Sequence, residues 1–441
     1  MSKRDLVKRA KDAGVRIVRL QFNDIHGVTK NVAIPIGELD TALEGTIAFD
    51  GSCIEGFVRH EESDMYLAPD PATFALLPLV AGQPVEARLL CDVHDPDGST
   101  FEGCTRSTLR RMVEEAARDG FVPEAGAELE FFLFEQSTDG RASTATSDRG
   151  SYFDLSPIDR GDAARCDVAL ALEDMGIRVE ATHHEVSRGQ HEIDLCPIGA
   201  LALADAISTA RVVVKTIAAR HGLHATFMPK PFVNQDGSGL HVSQRLLHDE
   251  RNVLSDPAGD NAAGLSEAGL AYVGGLLAHA SGFTAVTNPT INSYKRLVPG
   301  YDAPSYILWS QRAKSALVRV PAAAGGEARI ELRSPDPSCN PYLALACIIT
   351  AGLDGIRRKL VPGDPIDINV AELTDDERAA MGVEQLPLSL YDAVQALDKD
   401  HVMRAAIGDH SYHRLREAQL AEWETYRTQV HPWELEAYLS L

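Results

Sequence analysis

The sequence is poor in basic residues and has no long apolar run. Lysine and arginine together number 42 against 64 aspartates and glutamates, so the formal net charge is −22. A field of this sign repels nucleic acids and anionic membranes, and we expect neither as a partner. No apolar run reaches the roughly 18 residues that span a bilayer, and the charged start lacks the apolar stretch of a signal peptide.

Cysteine is sparse, and the usual nucleotide-binding motifs are missing. Seven cysteines occur without a C-x-x-C pair, a pattern that predicts reduced, buried thiols in a cytoplasmic protein. No G-x-x-x-x-G-K-[ST] and no helix-opening G-x-G-x-x-G occurs, which argues against a P-loop and a Rossmann site. The 441 residues are 44% hydrophobic and 24% charged, the balance of a globular protein with two or three domains.

Hydrophobic periodicity indicates a small domain followed by a large one. Alternation predicts strands at 15–23 and 28–34, which form a β-hairpin after a short amphipathic helix at 2–13. A helix is predicted to begin at Ser107, its possible N-cap, so we place the domains at 1–102 and 103–441. In the larger part a strand is predicted at 128–134 and helices at 163–175, 200–220, 265–281 and 342–360, followed by helical segments at about 388–428 and 432–438.

Acidic residues and histidines recur in the larger region at spacings that suit a metal. Glu128 and Glu130 share one face of a predicted strand, because side chains i and i+2 point the same way. Taken alone, this pair also fits an edge strand with one solvated face. Glu185, Glu192 and His241 lie in segments rich in His and Gly, and such ligands suit Mg²⁺ or Mn²⁺.

Arginines accompany these carboxylates. Arg329, Glu331 and Arg333 share one face of a further predicted strand, and Arg319 lies on the preceding one. Phosphoryl transfer uses this combination, because cations bridge the phosphates and arginine stabilises charge on the transferred group. The spacing alone predicts a metal-dependent enzyme that acts on phosphate or carboxylate groups.

Seven motifs follow one another along the chain. They are Phe49 to Phe57 (FDGSCIEGF), Glu128 to Glu130 (ELE), His183 to Glu192 (HHEVSRGQHE), Met228 to Pro231 (MPKP), Gly237 to His241 (GSGLH), Asn288 to Gly300 (NPTINSYKRLVPG), and Arg329 to Arg333 with Asn340 to Tyr342. In these motifs the chain resembles glutamine synthetases of the bacterial and archaeal type I class, alpha-like, over essentially its whole length. The resemblance implies an α+β fold, with a β-grasp N-terminal domain followed by a catalytic domain whose curved antiparallel sheet is flanked by helices.

The resemblance also implies the reaction and the assembly. ATP would phosphorylate the γ-carboxylate of L-glutamate, and ammonia would displace phosphate from γ-glutamyl phosphate to give glutamine, with two or three Mg²⁺ or Mn²⁺ ions. The implied assembly is a homo-oligomer, a dodecamer of two hexameric rings, in which neighbouring subunits share each active site.

The implied roles fall on individual residues of this sequence. One cation would bind Glu130, Glu185 and Glu192, and a second, beside the ATP phosphates, would bind Glu128, His241 and Glu331. Glutamate and phosphate would contact Gly237, Arg296, Arg319, Arg329 and Arg333. Tyr152, Ser243, Lys314 and Arg319 would contact the nucleotide. Asp50 would bind ammonium and help remove its proton, and the flap residue Asp302 would shield the acyl phosphate from water. Arg59 would mediate feedback inhibition.

Four positions near the implied pocket depart from the usual pattern of the family. They are Cys53, Asp236, Asp302 and Lys314. Asp302 is one methylene shorter than the usual flap glutamate, and Lys314 lacks the bidentate fork of an arginine. One interpretation is drift within a glutamine synthetase. A γ-glutamyl-amine ligase using methylamine, putrescine or another amine is the alternative, and a non-enzymatic regulatory homologue is a third, which the six metal-ligand positions argue against.

Overall fold

The computed structural model describes residues 2–54, 64–78, 82–137, 143–256, 263–321 and 327–441, except the side chain of Cys53. Its strands are β1 Val15–Asn23, β2 Thr29–Pro35, β3 Ile47–Asp50, β4 Asp64–Pro69, β5 Ala75–Leu76, β6 Val85–His94, β7 Val122–Glu135, β8 Val179–His184, β9 Gln190–Gly199, β10 Leu223–Thr226, β11 Leu240–His248, β12 Arg251–Asn252, β13 Tyr306–Ser310, β14 Ala316–Arg319, β15 Ile330–Leu332 and β16 Glu384–Gln385. Its α-helices are α1 Lys3–Asp12, α2 Leu39–Ala42, α3 Thr105–Arg118, α4 Asp162–Asp174, α5 Ala200–Arg220, α6 Glu267–Ala278, α7 Ala280–Thr287, α8 Ser293–Arg296, α9 Pro341–Arg358, α10 Asp375–Ala380, α11 Leu390–Lys399, α12 His401–Ile407, α13 Asp409–Arg427 and α14 Pro432–Tyr438.

The N-terminal strands form a sheet in the order β2-β1-β6-β4-β3, with β5 on β6. The predicted hairpin is confirmed, since β1 pairs antiparallel with β2 from Ile17↔Pro35 to Asn23↔Thr29. Strand β6 then runs parallel to β1, which needs the crossover that α2 and the intervening strands supply. The inner face of this sheet packs against α1 in a core of its own, from Leu6 to Cys104.

The larger sheet has the order β16-β13-β14-β15-β11-β7-β9-β8, with β10 on β7 and β12 on β11. Its neighbouring strands are antiparallel except β13 and β14, which are parallel. Strand β7 lies between β11 and β9, so the interpretation of Glu128 and Glu130 as an edge-strand pair with a solvated face is wrong. The flanking strands come from distant parts of the chain, and local alternation carries no information about them.

Long apolar helices cover this sheet, and α9 also joins it to the N-terminal part. Asn340 caps α9 by accepting from the backbone N–H of Tyr342, and Pro341 opens the helix where its missing N–H costs nothing. The Asn340 amide donates to the carbonyls of Asp24 and Ile25 at 3.1 and 3.2 Å. Gly27 has φ +77°, and a Cβ there would lie 2.7 Å from Cα of Asn340, so this close approach requires glycine.

Three local expectations are wrong. Helix α3 begins at Thr105, so Ser107 lies inside it and Cys104 is the N-cap residue. The single helix predicted at 265–281 is two helices, α6 and α7, with an angle of 69° between them. Cys166 is exposed on α4 rather than buried. The other five cysteines with described side chains are buried or partly buried, and all six are free.

Within the described residues, no single helix is long and apolar enough to cross a membrane. The bent pair α6 and α7 passes that test together, by length and composition only, and both helices contribute to the larger core.

Candidate active site

Strand register brings the predicted acidic residues together. Strand β7 places Glu128 opposite His241 of β11 and Glu130 opposite Glu192 of β9. Strand β8 then places His183 opposite Glu192. Residues paired across neighbouring strands point to the same face of the sheet. The four adjacent strands β11, β7, β9 and β8 therefore present carboxylates and imidazoles on one face.

The other side of the site is built on β14 and β15. Glu331 pairs across the strands with Arg319 on one side and Ser243 on the other. Its fully buried carboxylate lies 2.7 Å from Nη1 of Arg333 and 3.0 Å from Nε of Arg319. The Arg-Glu-Arg pattern is therefore part of a buried ion-pair network, and a charge in such a place is costly unless it is paired.

These strands form the floor of a polar cleft with a volume of about 240 Å³. Most of the predicted site residues line it, and they are Glu128, Glu130, Tyr152, Glu185, Glu192, Gly237, His241, Arg296, Asp302, Lys314, Arg319 and Arg333, together with Asp236. Glu331 lies beneath Arg319 and Arg333 and is 0% exposed. Residues separated by some 200 positions along the chain thus meet in one concave surface.

Burial and mutual repulsion perturb the carboxyl groups. Burial raises the pKa of Glu130 to about 7, and the Glu128 carboxylate adds to this. Burial and then Glu130 raise the pKa of Glu185 to about 8, and burial with the Glu130 and Asp194 charges raises that of Glu192 to about 12. These side chains cannot all be ionised at neutral pH unless a cation neutralises them.

The pKa of Glu128, in contrast, is lowered. Burial raises its pKa, but the hydrogen bond and charge of His241 outweigh burial and bring it to about 2. The Nδ1 atom of His241 lies 3.0 Å from Oε2 of Glu128. A proton on Nδ1 leaves the lone pair on Nε2, which is buried and has no hydrogen-bond partner in the described part of the chain.

These donors fit divalent cations. Three groups have ligand atoms within 4.8 Å of one another, namely Glu128 with His241 and Glu331, Glu130 with Glu192 and His241, and His183 with Glu185 and Glu192. The first matches one implied ligand set. Glu130, Glu185 and Glu192, the other implied set, are divided between the second and third groups, with Glu192 common to both. Carboxylate oxygens and an imidazole suit Mg²⁺ or Mn²⁺.

Two glycines let backbone approach these ligands. Gly239 donates its N–H to Oε2 of Glu130 at 2.9 Å, and a Cβ on it would lie 2.7 Å from Nε2 of His241. A Cβ on Gly237 would lie 2.3 Å from the carbonyl oxygen of Pro229. Any larger residue at either position would push the backbone out of the cleft.

The cationic side of the cleft is only partly free to bind a ligand. Arg296 is buried, and its Nη atoms donate to the carbonyls of Arg333, Ser334 and Pro335 at 2.8–3.2 Å. At the mouth, Nζ of Lys314 lies 3.2 Å from Oδ2 of Asp302. Asp302 donates its own N–H to Asp236 at 3.0 Å, so three of the four unusual positions contact one another in a chain.

Four predicted residues lie elsewhere. Ser243 and Arg329 line an adjoining hollow of about 670 Å³ that also contacts Glu128. Asp50 ends β3 in the N-terminal part, where it accepts from the backbone N–H and hydroxyl of Ser52 at 2.9 and 2.8 Å. It is not among the described residues that line the cleft of its own chain. Arg59 lies outside the described residues, as does the side chain of Cys53.

Three further cleft residues were not among the predicted site residues. His183 lies 3.1 Å from Glu192 and 3.4 Å from Glu185. Gln190 donates to Oε2 of Glu130 at 2.8 Å, and Asp194 lines the cleft. Gln190 and Asp194 flank Glu192 at i−2 and i+2, so the period of a strand would have identified both.

Comparison with known proteins decides the family. Residues 14–96 match the glutamine synthetase beta-Grasp domain, and residues 102–438 match the glutamine synthetase catalytic domain. The chain belongs to the glutamine synthetase family. Among its relatives, glutamine synthetase of Clostridium saccharobutylicum is 49% identical over 439 residues, 100% of this chain and 99% of that protein.

Other members of the family support the same assignment. Glutamine synthetase of Staphylococcus aureus strain Mu50 is 48% identical, over 99% of this chain and 98% of the relative. A solved GmaS–ADP complex is 32% identical and superposes with a TM-score of 0.89, over 99% of this chain and 100% of that chain. The expected fold, a β-grasp domain followed by the catalytic domain of this family, is therefore confirmed.

Proposed function

We propose that this chain carries out ATP-dependent glutamine synthesis in the cleft described above. The observation that carries the proposal is full-length identity of 49% to a glutamine synthetase. A γ-carboxylate oxygen of glutamate attacks the γ-phosphorus of ATP, and the bond to ADP breaks. Ammonia then attacks the acyl carbon and loses a proton, and the bond from this carbon to the bridging oxygen breaks, so that inorganic phosphate leaves with the oxygen that attacked ATP.

The acidic side of the cleft is proposed to hold two or three Mg²⁺ or Mn²⁺ ions. Glu128, His241 and Glu331 would hold the cation beside the nucleotide, and Glu130, Glu185 and Glu192 the cation beside glutamate. Bound cations would reduce repulsion between the anionic substrates. The unpartnered Nε2 of His241 and the raised pKa values of Glu130, Glu185 and Glu192 support these roles.

The arginines and the loop glycine are proposed to orient the anionic substrates. Arg319 and Arg333 lie at the cleft wall and would stabilise the transferred phosphoryl group. Gly237 and Arg296 would contact glutamate. Arg296 would contribute its Nε, which has no hydrogen-bond partner among the described residues, or act through its charge, since its Nη atoms already donate to carbonyls.

The nucleotide is proposed to extend into the adjoining hollow. Ser243 and Arg329 line that hollow, and Glu128 contacts both spaces. Tyr152 and Lys314 line the cleft itself. The distance from Nζ of Lys314 to the centre of the Tyr152 ring is 5.4 Å. ADP bound to the structurally similar GmaS supports a nucleotide site in this fold.

The proton acceptor for ammonium is proposed to come from a neighbouring subunit. Asp50 is not among the described residues lining its own cleft, and a homo-oligomer would let one subunit's N-terminal part close the next subunit's site. We propose a dodecamer of two hexameric rings, with domains divided after residue 102. Asp302 would shield the acyl phosphate from water.

Regulation and location are further parts of the proposal. Arg59 is proposed to mediate inhibition by the product glutamine. The free state of the six described cysteines supports a reducing, cytoplasmic location. The charge of −22 supports small-molecule partners in place of nucleic acid or membrane.

An acceptor panel tests the proposed reaction. The purified protein is given ATP, glutamate and Mg²⁺ with ammonia, methylamine, ethanolamine or putrescine, and product is identified by mass spectrometry beside phosphate release. We expect ammonia to be the preferred acceptor and glutamine the product. A kcat/KM for any other amine about tenfold above that for ammonia, about 1.4 kcal/mol of transition-state binding, would establish a γ-glutamyl-amine ligase instead.

A further inference from the structure

A buried polar cluster lies directly behind the acidic ligands. It consists of Asp148, Asp159, Arg165, His184 and His191, and we call it the rear cluster. Each member is at most 6% exposed. The ligand atoms of its two aspartates and two histidines lie within 4.8 Å of one another. The proposed reaction uses none of the five residues.

Strand geometry couples this cluster to the cleft. His184 precedes Glu185 and His191 precedes Glu192, and the two histidines face each other across β8 and β9. Consecutive side chains of a strand point to opposite faces, so Glu192 enters the cleft while His191 lies behind it. The two imidazole rings contact edge to face, with centres 4.8 Å apart.

His184 holds the main chain at Glu185. Its Nδ1 lies 2.6 Å from the carbonyl oxygen of Glu185, and since a carbonyl can only accept, Nδ1 donates. Its Nε2 lies 3.2 Å from Oδ1 of Asp148. The same Asp148 oxygen accepts from the N–H of Gly189 at 3.1 Å. One carboxylate therefore fixes both the His184 ring and the turn that joins β8 to β9.

Arg165 supplies the cation of the cluster. Its Nη1 donates to Oδ2 of Asp159 at 2.6 Å and lies 2.9 Å from Nδ1 of His191. A guanidinium can only donate, so Nδ1 of His191 accepts and the proton is on Nε2. A Cβ on Gly161 would lie 2.5 Å from this ring, so glycine at this position leaves the space that the imidazole occupies.

We propose that the rear cluster is the positioning unit that holds Glu185 and Glu192 ready for a divalent cation, and thereby sets the affinity of the cleft for that cation. The inference rests on the proposed cation site. Carboxylates that repel one another would separate in the empty site unless the chain behind them were held. Groups that orient ligands from behind change metal affinity by about 10–100-fold when removed.

Direct Mn²⁺ binding tests this role without relying on turnover. Free Mn²⁺ is measured by electron paramagnetic resonance in titrations of the assembled protein without substrates. His184→Gln removes the Nδ1 donor to Glu185 while retaining an amide that reaches Asp148. His184→Asn retains a donor at the Nδ1 position. We expect His184→Gln to weaken Mn²⁺ binding about tenfold or more, and His184→Asn to recover most of that loss.

His279→Gln is the matched control. His279 is also buried between two aspartates, Asp354 and Asp400, at 2.9 and 2.7 Å, and it is not among the residues that line the cleft. We expect its Mn²⁺ affinity to equal that of the wild type. Equal affinity of His184→Gln and wild type, or an equal loss in His279→Gln, would overturn the positioning role.

Arg165→Lys provides a second test of the same role, which applies also if His184→Gln does not fold. Lysine retains the charge but cannot contact Asp159, Asp162 and His191 together, as the guanidinium does. We expect weaker Mn²⁺ binding and faster hydrogen exchange in residues 183–192 of the metal-free protein, and unchanged values would refute the role. A wild type that binds no Mn²⁺ would overturn the cation site as well, whereas Mn²⁺ binding without glutamine formation would contradict the proposed reaction alone.

Discussion

At the scale of single residues, the cleft combines carboxylates that repel one another with one histidine that lies between two of them, Glu128 and Glu130. His241 contacts Glu128 through Nδ1 at 3.0 Å, and its Nε2 lies 3.7 Å from Glu130. One imidazole therefore stands between the two proposed cation sites. Such an arrangement is unfavourable without a bound cation, because each buried charge loses its hydration.

Glu128→Gln tests the cation site beside the nucleotide. The amide has the shape of the carboxylate but lacks its charge, so the cation loses one anionic ligand. We expect glutamine formation at fixed Mg²⁺ to fall by about tenfold or more, about 1.4 kcal/mol, and excess Mg²⁺ to recover part of the loss. The measurement is kcat/KM for ATP across a Mg²⁺ series.

Glu124→Gln is the control for that substitution. Glu124 lies on the same strand, but its carboxylate pairs with Arg245 at 3.1 Å, and it does not line the cleft. Its Mg²⁺ dependence should match that of the wild type. Wild-type activity of Glu128→Gln at every Mg²⁺ concentration would contradict the assignment of Glu128 as a ligand.

At the scale of elements, the predicted helix at 265–281 is broken at one buried histidine. His279 joins α6 to α7. Its Nδ1 contacts Asp400, and its Nε2 contacts Asp354 of α9, which also pairs with Arg358 at 2.9 Å. Asp400 in turn accepts from the first backbone N–H groups of α12. His279 therefore links the junction of α6 and α7 to α9 and to the start of α12.

The same contact predicts a pH-dependent stability. Burial lowers the pKa of His279, but the hydrogen bonds and charges of Asp400 and Asp354 outweigh burial and raise it above 6.5. A raised pKa in the folded state means that the stabilisation is complete below pH 6.5 and disappears as the pH rises through the folded value. We expect His279→Gln to cost about 2 kcal/mol at low pH and less at high pH.

Thermal unfolding midpoints of wild type and His279→Gln between pH 5.5 and 9 measure this difference. The gap between the two proteins should narrow as the pH rises. A gap of constant size would show that His279 stabilises the fold by packing alone and would contradict the charged contact.

Elements with local signals were predictable from the sequence, and those that depend on distant partners were not. Strand β1 was predicted with its observed bounds because its side chains alternate, and α5 because 200–220 contains no breaker. The break at His279 was missed because 265–281 is apolar on all sides and has no helical period to interrupt.

The site residues also divide into those with a local sequence signal and those that depend on distant partners. The implied ligands Glu128, His241 and Glu331 meet in one group, because the ordered motifs carry them. The rear cluster was missed, although its histidines lie within a recognised motif. Asp148, Asp159 and Arg165 come from a loop and a helix whose position against β8 and β9 no local pattern reveals.

At the scale of the whole molecule, the separation of Asp50 from the cleft makes a shared active site testable. Two impaired variants are co-expressed with different tags and purified through both tags. One carries Asp50→Asn, which leaves the cleft intact, and the other carries Glu128→Gln, which leaves the N-terminal part intact. If sites lie within single chains, every site in the mixed assembly carries one defect and activity stays at the level of the single variants.

If sites lie between neighbours, random mixing pairs an intact Asp50 with an intact Glu128 in about a quarter of the sites of a closed ring. We therefore expect the doubly purified assembly to regain up to about a quarter of the wild-type activity, well above the residual activity of either parent alone at the same Mg²⁺ concentration. Sedimentation shows that both variants assemble, so a failure to regain activity cannot come from loss of the oligomer. Mixed assemblies without activity would place Asp50 outside the shared site, and a fully active monomer would contradict the ring itself.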